Sequence, residues 1–127
     1  MRVLIVDDNI DAADSLALVL GFRGQHIVRT AYNGKQALEL AKDFQPEFIL
    51  LDIGMPEMNG FEVARCLRDQ AETRHATLIA LTGWGQEKDR QMTSAAGFDF
   101  HLVKPVNFNE LLQLLAAKRD AVVHDHK

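Results

Sequence analysis

The sequence is short of the residues that staple, break or anchor a chain. It holds a single cysteine, Cys66, so there is no disulfide framework, and the thiol reads most simply as a small buried apolar group. Only three prolines occur, Pro46, Pro56 and Pro105, and each stands where a periodic segment stops. No apolar run approaches membrane-spanning length, and the first one is cut short by Asp7 and Asp8 before any cleavage-like segment. A cytoplasmic chain with no membrane partner is expected. Lys and Arg never cluster beyond a pair, and the formal net charge is -4, which argues against nucleic-acid binding through phosphate neutralisation. What remains is an ordinary globular composition, 47% hydrophobic and 25% charged, in 127 residues. A chain of that length suits one domain, and its function has to come from a site, not from bulk charge.

The most informative stretch is Phe48-Ile49-Leu50-Leu51-Asp52, four large apolar residues that run into a carboxylate, with Gly54 and Pro56 breaking the chain just after. A short run that is apolar throughout reads as a strand buried on both faces. Comparable runs over 2–6, 26–31, 77–81 and 100–103 predict four more strands. Between them the apolar spacing turns helical. Ala13, Leu16, Ala17 and Leu20 fall on one face of a helix from Ile10 that Asp8 or Asn9 can cap, with Gly21 and Gly24 at its end. Ala37, Leu40, Ala41 and Phe44 mark a second helix after the Tyr32-Asn33-Gly34 turn, and Pro46 stops it. A third follows Asn59-Gly60, with Val63, Cys66 and Leu67 pointing inward. A thin stripe of Met92, Ala95 and Ala96 predicts a loosely held helix over 86–96, closed by Gly97. The final helix opens on Asn107 and Glu110 in capping-box-like spacing, with Phe108, Leu111, Leu112 and Leu115 as its apolar face. The expected domain spans 1–119, and 120–127 is a polar tail expected to fray.

Strict alternation of five strands with helices predicts an α/β fold: one doubly wound, five-stranded parallel sheet with helices on both faces. In the flavodoxin-like order 2-1-3-4-5, strands one and three lie side by side, and ligands bind at that switch point. Asp7, Asp8 and Asp52 then share a crevice, with Thr82 and Lys104 at the ends of strands four and five. Alone, each has a bland reading: a helix cap, a turn hydroxyl, a solvated lysine. Together they make a site. Carboxylates at ~4 Å repel by about 4 kcal/mol per pair at an effective dielectric of ~20. Lys104 offsets part of that, and a hard divalent cation offsets the rest: Mg²⁺, with Mn²⁺ as the alternative. Metal, ammonium and hydroxyl beside a carboxylate suit a phosphoryl group, with Asp52 as nucleophile.

The set Val6-Asp7-Asp8, Leu51-Asp52-Ile53-Gly54-Met55-Pro56-Glu57-Met58-Asn59-Gly60, Ala80-Leu81-Thr82-Gly83 and Lys104-Pro105 resembles the receiver domain of two-component response regulators, in order and over residues 2 to about 117. Thr82-Gly83-Trp84-Gly85-Gln86 and Ala96-Gly97-Phe98-Asp99 look like receivers attached to hybrid sensor kinases. The resemblance implies that Asp52 accepts a phosphoryl group from a phosphohistidine on a histidine kinase or histidine phosphotransfer protein. It implies Mg²⁺ held by Asp8, Asp52 and the Gly54 carbonyl, with Asp7 acting through water. Lys104 would pair with the phosphoryl group, Thr82 would hydrogen-bond it, and Lys104-Pro105 would be cis. The downstream target would be a protein, reached through the 86–96 helix, the fifth strand and the final helix, including Arg90, His101 and Val103.

Two positions depart from that pattern. His101 stands where the family commonly has Tyr or Phe, and a switch built on it is expected to rotate inward with Thr82 and to respond to pH near neutrality. Gly54 and Trp84, two residues beyond Asp52 and Thr82, offer no polar side chain to orient water, so slow self-dephosphorylation is expected, with no turnover of a small substrate. Three rival readings are weaker. A metal-dependent aspartyl phosphatase typically needs an acid where Gly54 stands. A flavin or nucleotide carrier needs a phosphate loop after the first strand, where Asp7 and Asp8 would repel it. A receiver-like interaction module that is never phosphorylated would have no use for the intact set.

Overall fold

The computed structural model describes residues 1–24, 26–55, 59–83 and 95–125. Its strands are β1 (Arg2–Val6), β2 (Ile27–Ala31), β3 (Phe48–Asp52), β4 (Thr77–Thr82) and β5 (Phe100–Val103). Its helices are α1 (Ile10–Arg23), α2 (Gly34–Phe44), α3 (Gly60–Asp69) and α4 (Phe108–Asp125). The strands form one sheet in the order β2-β1-β3-β4-β5, and every pairing is parallel. Register places Val6 beside both Ala31 and Leu51, and Asp52 beside Leu81, so the carboxyl ends of the strands finish at one level.

The period-two alternation of a strand sends neighbouring side chains to opposite faces. Leu4, Ile49, Leu51, Leu78 and Ala80 pack with Ala37 and Ala41 of α2 and Val63, Ala64 and Leu67 of α3. Val3, Ile5, Leu50, Ile79 and Leu81 pack on the other side with Ala13, Leu16 and Leu20 of α1 and Leu111 and Leu115 of α4. All five residues of β3 are buried, as a central strand covered on both faces requires.

All four described helices start on an asparagine. Asn9, Asn33, Asn59 and Asn107 each accept, through Oδ1, a hydrogen bond from the backbone N–H three residues on: Ala12, Gln36, Glu62 and Glu110. Each satisfies one of the donors a helix start leaves open. For α1 this settles the cap on Asn9, not Asp8.

Several expectations need correction. Cys66 is half-buried, because Ala64 takes the inward place beside Val63 and Leu67. Phe108 lies 38% exposed, since it opens α4 before the helix has settled on the sheet. Strand β2 begins at Ile27, one residue after His26, where Ile27 N–H donates to the Met1 carbonyl. The helical backbone of α4 runs over Phe108–Asp125. The helix expected over 86–96 falls mostly outside the described residues. At its far end Gly97 has φ 101°, a conformation that favours glycine, and Ala96 and Phe98 are buried. Arg68 fixes this point, donating to the Gly97, Arg74 and Ala76 carbonyls and to Asp99. Among the described residues, no helix is long and apolar enough to cross a membrane.

Candidate functional site

The candidate residues arrive at the site from the ends of four strands. Asp7 follows β1 directly and is 4% exposed, and its backbone N–H donates to the Ala31 carbonyl, which holds it in line with β2. Its carboxylate accepts from Asn9 N–H at 3.0 Å and from Lys104 Nζ at 3.2 Å. Asp52 ends β3, is 8% exposed, and accepts from Gly54 N–H at 2.9 Å. Asp8, in the turn between β1 and α1, is exposed. One carboxylate oxygen from each of Asp7, Asp8 and Asp52 lies within 4.8 Å of the others.

Lys104 follows β5 and reaches both buried carboxylates, with Nζ 3.2 Å from Asp7 Oδ2 and 3.3 Å from Asp52 Oδ2. Burial of the ammonium works to lower its pKa. Attraction to Asp52 and Asp7, with hydrogen bonds to both, outweighs that and holds the group above its ordinary 10.5. Three carboxylates against one ammonium leave an excess of negative charge in a pocket with two buried members. The donor set is all oxygen and all hard, which fits a small divalent cation such as Mg²⁺ and not a soft metal.

Thr82 ends β4 at 1% exposure, and its Oγ1 lies 3.0 Å from His101 Nε2. The Lys104–Pro105 peptide bond is cis. Asp7, Asp8, Asp52 and Lys104 are therefore gathered directly, with Gly54 bonded to Asp52 and His101 bonded to Thr82. Of the other expected residues, Pro56, Glu57, Met58, Trp84, Gln86 and Arg90 lie outside the described residues.

Two supporting features were not read from the sequence. Asn9 both caps α1 and donates its N–H to Asp7, so the helix start and the site are one construction. Gly60 approaches the strand end so closely that a Cβ there would lie 2.5 Å from Ile53 Cα and 2.8 Å from the Asp52 carbonyl oxygen. In the sequence Asn59-Gly60 reads only as the dipeptide before the third helix, and nothing local to it marks a close approach between α3 and the loop after Asp52.

Comparison with known proteins agrees with this geometry. The family described as response regulator receiver domain matches residues 3–116. The polar-differentiation response regulator DivK of Brucella anthropi is 32% identical over 113 residues, 89% of this chain and 91% of that protein. The receiver domain of the sensor histidine kinase PA1611 from Pseudomonas aeruginosa, solved with a magnesium ion in its active-site cleft, superposes with a TM-score of 0.80 at 30% identity, covering 90% of this chain and 93% of the other. A response regulator from Burkholderia pseudomallei, solved with a phosphorylated aspartic acid, a calcium ion and citrate, gives a TM-score of 0.81 at 30% identity, covering 98% and 72%.

Proposed function

Since the chain belongs to the response regulator receiver domain family of two-component signalling, we propose that Asp52 accepts a phosphoryl group from a phosphohistidine on a histidine kinase or phosphotransfer protein. The observation that carries this reading is the position of Asp52: at the end of a fully buried strand, 3.3 Å from Lys104 and in one cluster with Asp7 and Asp8. In the transfer, an Asp52 carboxylate oxygen forms a bond to phosphorus as the phosphorus–nitrogen bond of the donor breaks, and the imidazole leaves with the electron pair. Lys104 neutralises charge on the phosphoryl oxygens, and the Thr82 hydroxyl donates to one of them. Asp8, Asp52 and the Gly54 carbonyl would hold Mg²⁺, with Asp7 acting through water. When bound, the ion supplies positive charge beside the transferring group. A related receiver solved with magnesium supports that choice over Mn²⁺.

The output is a protein contact through β5, α4 and the segment over 86–96, in a cytoplasmic relay that turns over no small substrate. The test is transfer of label from a phosphorylated histidine donor to the purified chain. Label should reach the wild type and be absent from Asp52→Asn; equal labelling of the two would overturn the assignment.

A further inference from the structure

His101 sits on β5 opposite Ala80, and its ring reaches diagonally to Thr82, two residues further along β4. There Nε2 and Oγ1 are 3.0 Å apart, and the imidazole tautomer decides which of them donates. Thr82 is 1% exposed, so protein partners, not bulk water, set the direction of its hydroxyl. A threonine hydroxyl carries one proton and two acceptor lone pairs. If the imidazole proton is on Nδ1, the hydroxyl donates to Nε2 and its proton is spent. If the proton is on Nε2, the ring donates to Oγ1 and the hydroxyl proton turns to a different acceptor. Only the second arrangement lets Thr82 donate to a phosphoryl oxygen at Asp52 while keeping its bond to His101. A ring with carbon in that place supplies neither arrangement.

We propose that His101 is a positioning residue for the phosphoryl chemistry: its Nε2–H donates to Thr82 Oγ1 and so aims the Thr82 hydroxyl proton at the group carried by Asp52. This rests on Asp52 being the phosphoryl acceptor. In phosphorylation, an Asp52 oxygen bonds to phosphorus while the donor leaves with the electron pair of the broken bond. In hydrolysis, a water oxygen bonds to phosphorus, the bond to Asp52 breaks with its electron pair returning to the carboxylate, and the water proton passes to the released phosphate. Thr82 and His101 keep their protons in both steps. Their contribution is a hydrogen bond held ready where charge develops, which is where such a bond affects rate most.

The test uses the full chain, Mg²⁺ and acetyl phosphate as donor, and measures the rate constants of phosphorylation for wild type, His101→Phe and His101→Gln, each with and without Thr82→Ala. His101→Phe keeps a ring but no nitrogen and should slow phosphorylation about fivefold to tenfold, the size of one hydrogen bond. His101→Gln restores an amide donor and should recover most of the rate. In the Thr82→Ala background, His101→Phe should have no further effect. Nitrogen NMR of the imidazole in the unphosphorylated chain should show the Nε2–H tautomer, with resonances that shift in Thr82→Val. A wild-type rate in His101→Phe, an undiminished loss without the Thr82 hydroxyl, or an Nδ1–H tautomer would each overturn the proposal. A wild type that takes no phosphoryl group would instead overturn the reading of Asp52 and this proposal with it.

Discussion

Lys104 and Asp52 meet across a strand to which neither belongs. Nζ stands 3.3 Å from Asp52 Oδ2, although β4 lies between β3 and β5 in the sheet. Two inter-strand steps are about 10 Å, a gap that a flexible four-carbon stem spans and a short cation could not.

The raised pKa of Lys104 has a definite consequence for stability. The folded chain holds this proton more tightly than the unfolded one, so the ammonium's contribution is fully present below the ordinary value of 10.5 and is lost as pH rises through the raised one. The side chain is 35% exposed, so screening limits the effect to about 1 kcal/mol. Lys104→Met should be less stable than wild type near neutrality by denaturant midpoint, and the gap should close at strongly alkaline pH. A gap of constant size would point to packing of the stem, not to its charge.

Asp8 is the exposed member of the carboxylate cluster and has no capping duty, because Asn9 takes that role for α1. Asp8→Ala should therefore raise the melting temperature in metal-free buffer by about 4 °C, equivalent to roughly 1 kcal/mol for a domain of this size, and should lose the stabilisation by Mg²⁺. A destabilised variant in chelator would show that Asp8 supports the fold.

How much of this was legible in the sequence depended on whether a signal was local. Phe48 to Asp52 announced a buried central strand, since an unbroken apolar run has few other uses, and alternating strand and helix patterns pointed to a parallel sheet, whose order 2-1-3-4-5 is the flavodoxin-like one. Asp7, Asp52, Thr82 and Lys104 were readable as strand-end residues that this order gathers. Partners that no strand end gathers were not readable. Arg68 with Gly97 and Asp99, and the direct bond that joins the expected switch pair His101 and Thr82, depend on packing angles that no periodicity carries. Cys66 and Phe108 were misplaced for a related reason: helical spacing gives a face, but the depth of each residue on it is set by the neighbouring element.

Gly60 is held by sterics. A Cβ there meets Ile53 Cα and the Asp52 carbonyl, both backbone, so α3 has to retreat from the loop that follows Asp52. Gly60→Ala should cost about 1–3 kcal/mol and slow phosphorylation of Asp52. Unchanged stability in a denaturant titration would mean the loop yields freely.

At Gly54 the opposite holds. An added Cβ would meet only Asp52 Oδ1, at 3.6 Å, which is ordinary contact. Gly54→Asn can therefore carry an amide beside the phosphoryl group, orient water, and shorten the lifetime of phosphorylated Asp52 several-fold. A lifetime equal to or longer than that of the wild type would contradict the expectation that the bare Gly54 position slows self-dephosphorylation.

The most direct measurement of the central claim is intact-mass spectrometry of the chain after incubation with acetyl phosphate and Mg²⁺, followed by mapping of the modified peptide. The account predicts a gain of one phosphoryl group, on Asp52, dependent on Mg²⁺ and absent from Asp52→Asn. No gain in the wild type, or an equal gain in Asp52→Asn, would contradict it.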